Sequence, residues 1–324
     1  MLNALPNTAE SVDLHLLPRL IDEVETVFRG KRETVRLSLA ALLARGHVLF
    51  EDIPGVGKTT LARALTRALG LEFRRIQFTS DLLPSDVLGV SIYNPRTHEF
   101  ETRPGPIFTH VVLADEINRA PPRTQSGLLE AMQEGRVTID ERSHELPQPF
   151  LVMATQNPLE QHGTYPLPES QLDRFLMRLS IGYPDAEEER SVLLQSVGVG
   201  DPMERMKSVL DPGAVLALQD QVERVHADPS IVDYLMALVQ ATRGDTRLRA
   251  GASTRAAIGL FRAARGYALV DGRDFLSPDD VRRLVIPCWA HRLLPTGASS
   301  STGEAYDEAV AILEDVLAAV PVPV

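Results

Sequence analysis

A chain of 324 residues, 44% of them apolar, can bury a substantial core in one large domain or two modest ones. Its net charge of −11 argues against a broad nucleic-acid-binding face, and its single cysteine, Cys288, excludes an intrachain disulfide or a cysteine metal cluster. Met1 to Ser11 lack the basic and apolar regions of a signal peptide, and no apolar run approaches the roughly 18 residues of a membrane span. A cytoplasmic protein without a transmembrane segment is therefore expected.

Apolar residues at helical spacing (Leu14, Leu17, Leu20, Ile21, Val24, Val27) predict a helix over residues 13–28. A second helix, Glu33 to Ala44, ends where Gly46 suits a C-terminal cap. His47 to Glu51 reads as a buried strand leading into Asp52-Ile53-Pro54-Gly55-Val56-Gly57-Lys58-Thr59-Thr60, and a helical pattern follows to Gly70. Strand, Gly-rich loop, helix is the setting in which a P-loop holds phosphate. Gly55 and Gly57 let the backbone turn its N–H groups toward phosphate oxygens, Lys58 reaches the β- and γ-phosphates, and Thr59 ligates Mg²⁺. The full pattern asks for glycine at position 52, where this chain has Asp52.

Phe73 to Phe78 predicts another strand. Val90–Tyr93 and Glu99–Thr102 predict a hairpin across Asn94–His98, either a plain surface turn or a loop that meets a client. His110 to Glu116 is an apolar strand ending in two carboxylates, about 60 residues after the P-loop. Ligands of open α/β sheets sit beyond the carboxyl ends of the strands. Asp115 is therefore placed to hold Mg²⁺ and Glu116 to orient and deprotonate water. A helix, Pro121 to Glu134, and a second hairpin near 136–146 follow. Phe150 to Thr155 is a third buried strand, and Asn157 just past it is placed to meet a γ-phosphate or the attacking water. Arg174 stands in Asp173-Arg174, which in isolation is an ordinary surface or interface ion pair, ahead of the apolar stretch 175–181.

Near residue 184 the character changes, dividing the chain into 1–184 and 185–324. The second part reads as helices: Glu187–Ser196, Pro212–Val225, Pro229–Thr242, Ser253–Leu269, Ser277–Leu294 and Gly303–Ala319. Ser253 and Ser277 are good N-caps, and Arg255, in a first helical turn against the helix dipole, calls for an anion. Cys288 and Trp289 lie on an apolar face and predict core.

Together these residues resemble an AAA+ ATPase, and more closely the MoxR family, over about residues 13–295. The resemblance is densest at Gly105–Phe108, Leu113–Ala120, Ala154–Pro158, Gly163–Glu169 and Gln171–Phe175. It implies an α/β fold: a P-loop parallel-sheet core with hairpin inserts near 90–102 and 136–146, then a small all-helical lid. It implies ATP and Mg²⁺ held by Pro54 to Thr60 and Asp115, with Glu116 as general base. Asn157 is similar to the sensor of the γ-phosphate, Arg174 to an arginine finger reaching the neighbouring subunit's site, and Arg255 to the second sensor on the lid. Thr254 stands where the family usually has proline. Gly30 aligns with the segment lining adenine, although Arg29 and Lys31 differ from the usual Val-Gly-Gln. The resemblance further implies a ring, a hexamer, acting as a chaperone-like remodeller in maturation or metal-cofactor insertion, with a client or a von Willebrand factor A-domain (VWA) protein as partner. The alternatives are a nucleic-acid motor or loader and an ATP-dependent binding switch with negligible turnover.

Overall fold

The structure, a computed structural model, describes residues 12–323 except 141, 159–162, 185, 188, 191–200 and 298–301. Five parallel strands form the central sheet: β1 (Val48–Glu51), β2 (Phe73–Gln77), β5 (Val111–Asp115), β8 (Leu151–Gln156) and β9 (Met177–Leu179). Their order is β2-β5-β8-β1-β9. Alternation along the strands feeds two cores. Val48, Phe50, Val111, Leu113, Leu151 and Met153 face one side, and Leu49, Val112, Ala114, Val152 and Ala154 face the other. A parallel sheet covered on both faces needs apolar side chains in both directions, so its inner strands read as unbroken apolar runs.

The helices of the core are α1 (Leu16–Glu25), α2 (Arg32–Leu43), α3 (Lys58–Ala68), the short α4 (Pro84–Leu88), α5 (Pro122–Glu134) and the short α6 (Glu169–Leu172). Two antiparallel ribbons project from it, β3 (Gly89–Asn94) with β4 (Glu99–Pro104) and β6 (Arg136–Ile139) with β7 (Arg142–Glu145). On the first ribbon Tyr93 and Phe100 are cross-strand partners with ring centroids 5.4 Å apart, and Phe100 remains 66% exposed. Gly46 does not supply the left-handed residue after α2. Arg45 does, at φ 55°, while a Cβ on Gly46 would fall 2.2 Å from Leu176 Cδ2. Gly46 is thus required by packing, not by the turn.

The remaining helices are α7 (Pro202–Arg205), α8 (Pro212–Val222), α9 (Pro229–Gly244), α10 (Thr254–Val270), α11 (Pro278–Trp289) and α12 (Thr302–Ala319). Ser253 caps α10 through Ala256 N, and Ser277 and Asp280 close a capping box on α11. The predicted helix over 187–196 lies largely outside the described residues. One departure from an all-helical lid is a short ribbon, β10 (Leu248–Ala250) with β11 (Leu294–Pro295). The helix expected to reach Leu294 ends at Trp289 and passes through a 3-10 turn, Ala290–Arg292, before β11. Cys288 and Trp289 are fully buried. The apolar core runs on from the sheet into the lid: α2 packs along α10, and Gly266 lets the two approach where a Cβ would meet the Ala40 carbonyl oxygen at 2.6 Å. No helix among the described residues is long and apolar enough to cross a membrane.

Candidate active site

At the carboxyl edge of the sheet, Pro54, Gly55, Gly57, Lys58, Thr59, Asp115, Glu116 and Asn157 line one cleft of about 330 Å³. Gly55 and Gly57 take φ of 89° and 96°, the left-handed backbone that the loop geometry demands. Val56 lies in the same loop and packs on the core, and Thr60 in the first turn of α3. Lys58 Nζ donates to the carbonyl oxygens of Asp52 (2.7 Å) and Ile53 (3.1 Å), which holds the ammonium over the loop. Burial lowers its pKa, opposed by Asp52, Asp115 and Glu116.

The acidic pair is held from three sides. Thr155, at the end of β8, donates its hydroxyl to Asp115 Oδ1 (2.6 Å) and accepts the Glu116 amide (2.8 Å). Arg75, on β2, donates Nε (3.0 Å) and Nη2 (2.6 Å) to Asp115 Oδ2. Gln77 donates to Glu116 Oε2 (2.7 Å), and Arg119 Nε stands 3.3 Å from the same oxygen. Glu116 itself is left-handed at φ 56°, a conformation costly for a residue with a Cβ, which turns its side chain out of the strand path. Arg75 and Thr155 also line the cleft, and the sequence alone assigns neither a role there. Only their register beside Asp115 gives them meaning, and that register is a property of the sheet.

Asp52 explains the departure from the P-loop pattern. Its buried carboxylate accepts from Ser180 Oγ (2.7 Å), Ile181 N (2.7 Å) and Gly182 N (3.1 Å), tying the start of the P-loop to the chain leaving β9. Gly30, at φ 73°, is not among the residues lining the phosphate cleft, but its segment adjoins the loop. A Cβ on Gly57 would lie 3.1 Å from the Phe28 ring, and Lys31 Nζ donates to Tyr183 O at 2.8 Å.

Arg174 and Arg255 are brought together, but not at the P-loop. Both line a second cleft of about 430 Å³ with Arg45, Gly46, His47, Arg262 and Arg292. Gly46 and His47 precede β1, whereas the P-loop follows it, so the two clefts lie on opposite edges of the sheet. The four residues of β1 alone set them about 13 Å apart. Arg255 Nη1 lies 3.3 Å from Asp173 Oδ2, and Arg292 Nε lies 3.6 Å from Asp173 Oδ1. Arg292 also donates Nη2 to Phe175 O at 2.7 Å, while its buried Nη1 finds no hydrogen-bond partner among the described residues. The lid thereby grips both neighbours of Arg174.

The P-loop strand stands between β8 and β9, with the acidic pair two strands away and a helical lid behind, and the family models that this chain matches make it an AAA+ ATPase. Residues 47–177 match the model of the ATPase family associated with various cellular activities (AAA), and residues 240–316 match the AAA lid domain. Within that class, the chain belongs to the MoxR family: it is 44% identical to chaperone MoxR1 of Mycobacterium tuberculosis, over 90% of this chain and 80% of that one. It is also 51% identical to the uncharacterized protein YeaC of Bacillus subtilis, over 96% and 97% of the two chains. A crystal structure of a Cytophaga hutchinsonii protein, 37% identical, superposes with a TM-score of 0.86 over 96% of each chain.

The first cleft fits a hydrated Mg²⁺. Thr59 and Asp115 offer hard oxygens beside Lys58 and the loop amides, and Mg²⁺ at phosphate-transfer sites is held by one or two protein oxygens together with the substrate's phosphates.

Proposed function

We propose that this AAA+ ATPase hydrolyses ATP in the P-loop cleft, in a ring whose adjoining subunit completes each site, and uses the turnover to remodel a protein client. The observation that carries this reading is the separation of the two clefts. An arginine at the amino edge of the sheet cannot reach a phosphate at the carboxyl edge of its own subunit. Arg174 and Arg255 therefore serve the site of the next subunit in a head-to-tail contact, which closes into a ring. Arg255, expected as the second sensor on the lid, is thereby assigned to the neighbour's nucleotide.

In this scheme Lys58 and the loop amides bind the phosphates, and Glu116 takes the proton of the attacking water once it turns from Gln77. Asn157 holds that water or the terminal phosphate. Mg²⁺, held through Thr59 and Asp115, would neutralise charge on the phosphates. Gly30 and its neighbours border the base. Six subunits and a VWA-domain partner are what membership of the family leads one to expect. The name of the M. tuberculosis relative, a chaperone, supports a protein client, and the exposed Tyr93–Phe100 ribbon is the surface we assign to it.

Complementation tests the shared site. Arg174→Ala and Glu116→Gln should each lower steady-state ATPase by about 10³-fold. Mixed in equal amounts and reassembled, about a quarter of the interfaces would pair an intact Arg174 with an intact Glu116, and activity should return in proportion. A mixture as inactive as its components would refute the trans assignment.

A further inference from the structure

The Asp115 carboxylate already has a cation. Arg75 and Gln77 lie two residues apart on β2, so both side chains project from one face of the sheet, beside their register partners Leu113 and Asp115. Arg75 Nε and Nη2 converge on Asp115 Oδ2 at 3.0 and 2.6 Å, and Nη2 also donates to Gln77 Oε1 at 2.8 Å. The other carboxylate oxygen accepts from Thr155. Lys58 points elsewhere, to two backbone carbonyls. The Arg75 side chain is 49% exposed and lines the cleft, so this is no core ion pair locked by packing. It is a solvent-facing guanidinium laid across the oxygen assigned above to the metal.

We propose that Arg75 is a built-in counter-cation of Asp115 that a divalent cation must displace, so that Arg75 sets the metal affinity of the nucleotide site. The inference rests on the reading of Asp115 as a metal ligand. A carboxylate oxygen accepting two charge-assisted bonds has little donor capacity left, and a guanidinium at that distance repels a dication. Arg75 is thus a positioning residue. It neutralises Asp115 before the metal arrives and must swing away when it does, a move that its exposure permits. The Arg75–Gln77 bond breaks with that move.

The test uses Mn²⁺ as the probe, titrated into full-length protein saturated with ADP, with free Mn²⁺ read by electron paramagnetic resonance. Arg75→Gln should bind Mn²⁺ about fivefold more tightly than wild type, the upper range for a partly exposed ion pair. Arg75→Lys, which keeps the charge and loses the fork, should fall between. Unchanged or weaker Mn²⁺ binding by an Arg75→Gln protein with wild-type circular dichroism would overturn the proposal. Asp115→Asn separates the two layers: it should weaken Mn²⁺ binding, and if it does not, the failure lies with Asp115 as ligand rather than with Arg75 as its competitor.

Discussion

Asp52 stands where a P-loop pattern asks for glycine, and its carboxylate meets three donors around residues 180–182 at 6% exposure. A glycine there would restore the formal motif and remove the acceptor. Buried N–H and O–H groups left unpaired each cost free energy, so the motif-restoring change is expected to weaken the protein. Asp52→Gly should lose about 3 kcal/mol in urea unfolding, and Asp52→Asn, which keeps one acceptor oxygen, about half of that. A glycine variant as stable as wild type would mean that the three bonds contribute nothing. Gly46 teaches the same lesson in reverse. Its place after a helix looked like a cap, yet the residue is dictated by Leu176, far along the chain. Local rules identify which residues are unusual. The reason for each lies with a partner that the sequence does not display.

At the scale of elements, β1, β5 and β8 were legible because burial on both faces writes an uninterrupted apolar run. So was the nearness of the P-loop and the acidic pair, which the structure brings to one cleft. β9 was not, because Arg178 sits in the middle of its three residues. That arginine is nevertheless buried, paired with Glu51 at 2.7 Å and stacked 3.5 Å from the ring centroid of Tyr306 on α12. Burial lowers the Arg178 pKa and raises that of Glu51 against their mutual attraction. The pair therefore depends on its surroundings, and Tyr306 is the lid's contribution to them. Tyr306→Phe keeps the ring face and should change stability by less than about 0.5 kcal/mol, whereas Tyr306→Leu should cost about 1–2 kcal/mol. Equal losses for the two would assign the effect to the phenol hydroxyl. Arg255 was legible as an arginine calling for an anion, whereas Arg174 read from the residues alone as an ordinary ion pair. Their place on the edge of the sheet away from the P-loop was not legible, because the sheet's topology sets it.

Across the whole molecule, the two clefts stand at opposite edges of the sheet, and the core that joins them runs without a break from the sheet into the lid. His47 stands at the amino edge of that core. Its Nδ1 accepts from Val152 N (3.0 Å) and its Nε2 donates to Met132 O (2.9 Å), linking β1, β8 and α5. This tautomer is neutral, and a second proton on Nδ1 would break the Val152 bond and bury a charge. Burial accordingly pushes the His47 pKa down to about 4 from 6.5, with the Met132 bond opposing. Between those values the unfolded chain binds the proton that the folded one refuses. The contribution of His47 is thus complete above about pH 6.5 and lost as pH falls toward 4, amounting to about 3 kcal/mol in full. Glu51, its pKa raised, shifts stability in the opposite sense, so a pH profile of wild type alone does not isolate the histidine. His47→Gln does: the variant should be less stable at pH 7, yet approach wild type as the pH drops. Urea unfolding of both proteins at pH 7, 5.5 and 4.5 measures the difference. Curves that fall in parallel would show that His47 takes up its proton equally well in the folded and unfolded chains.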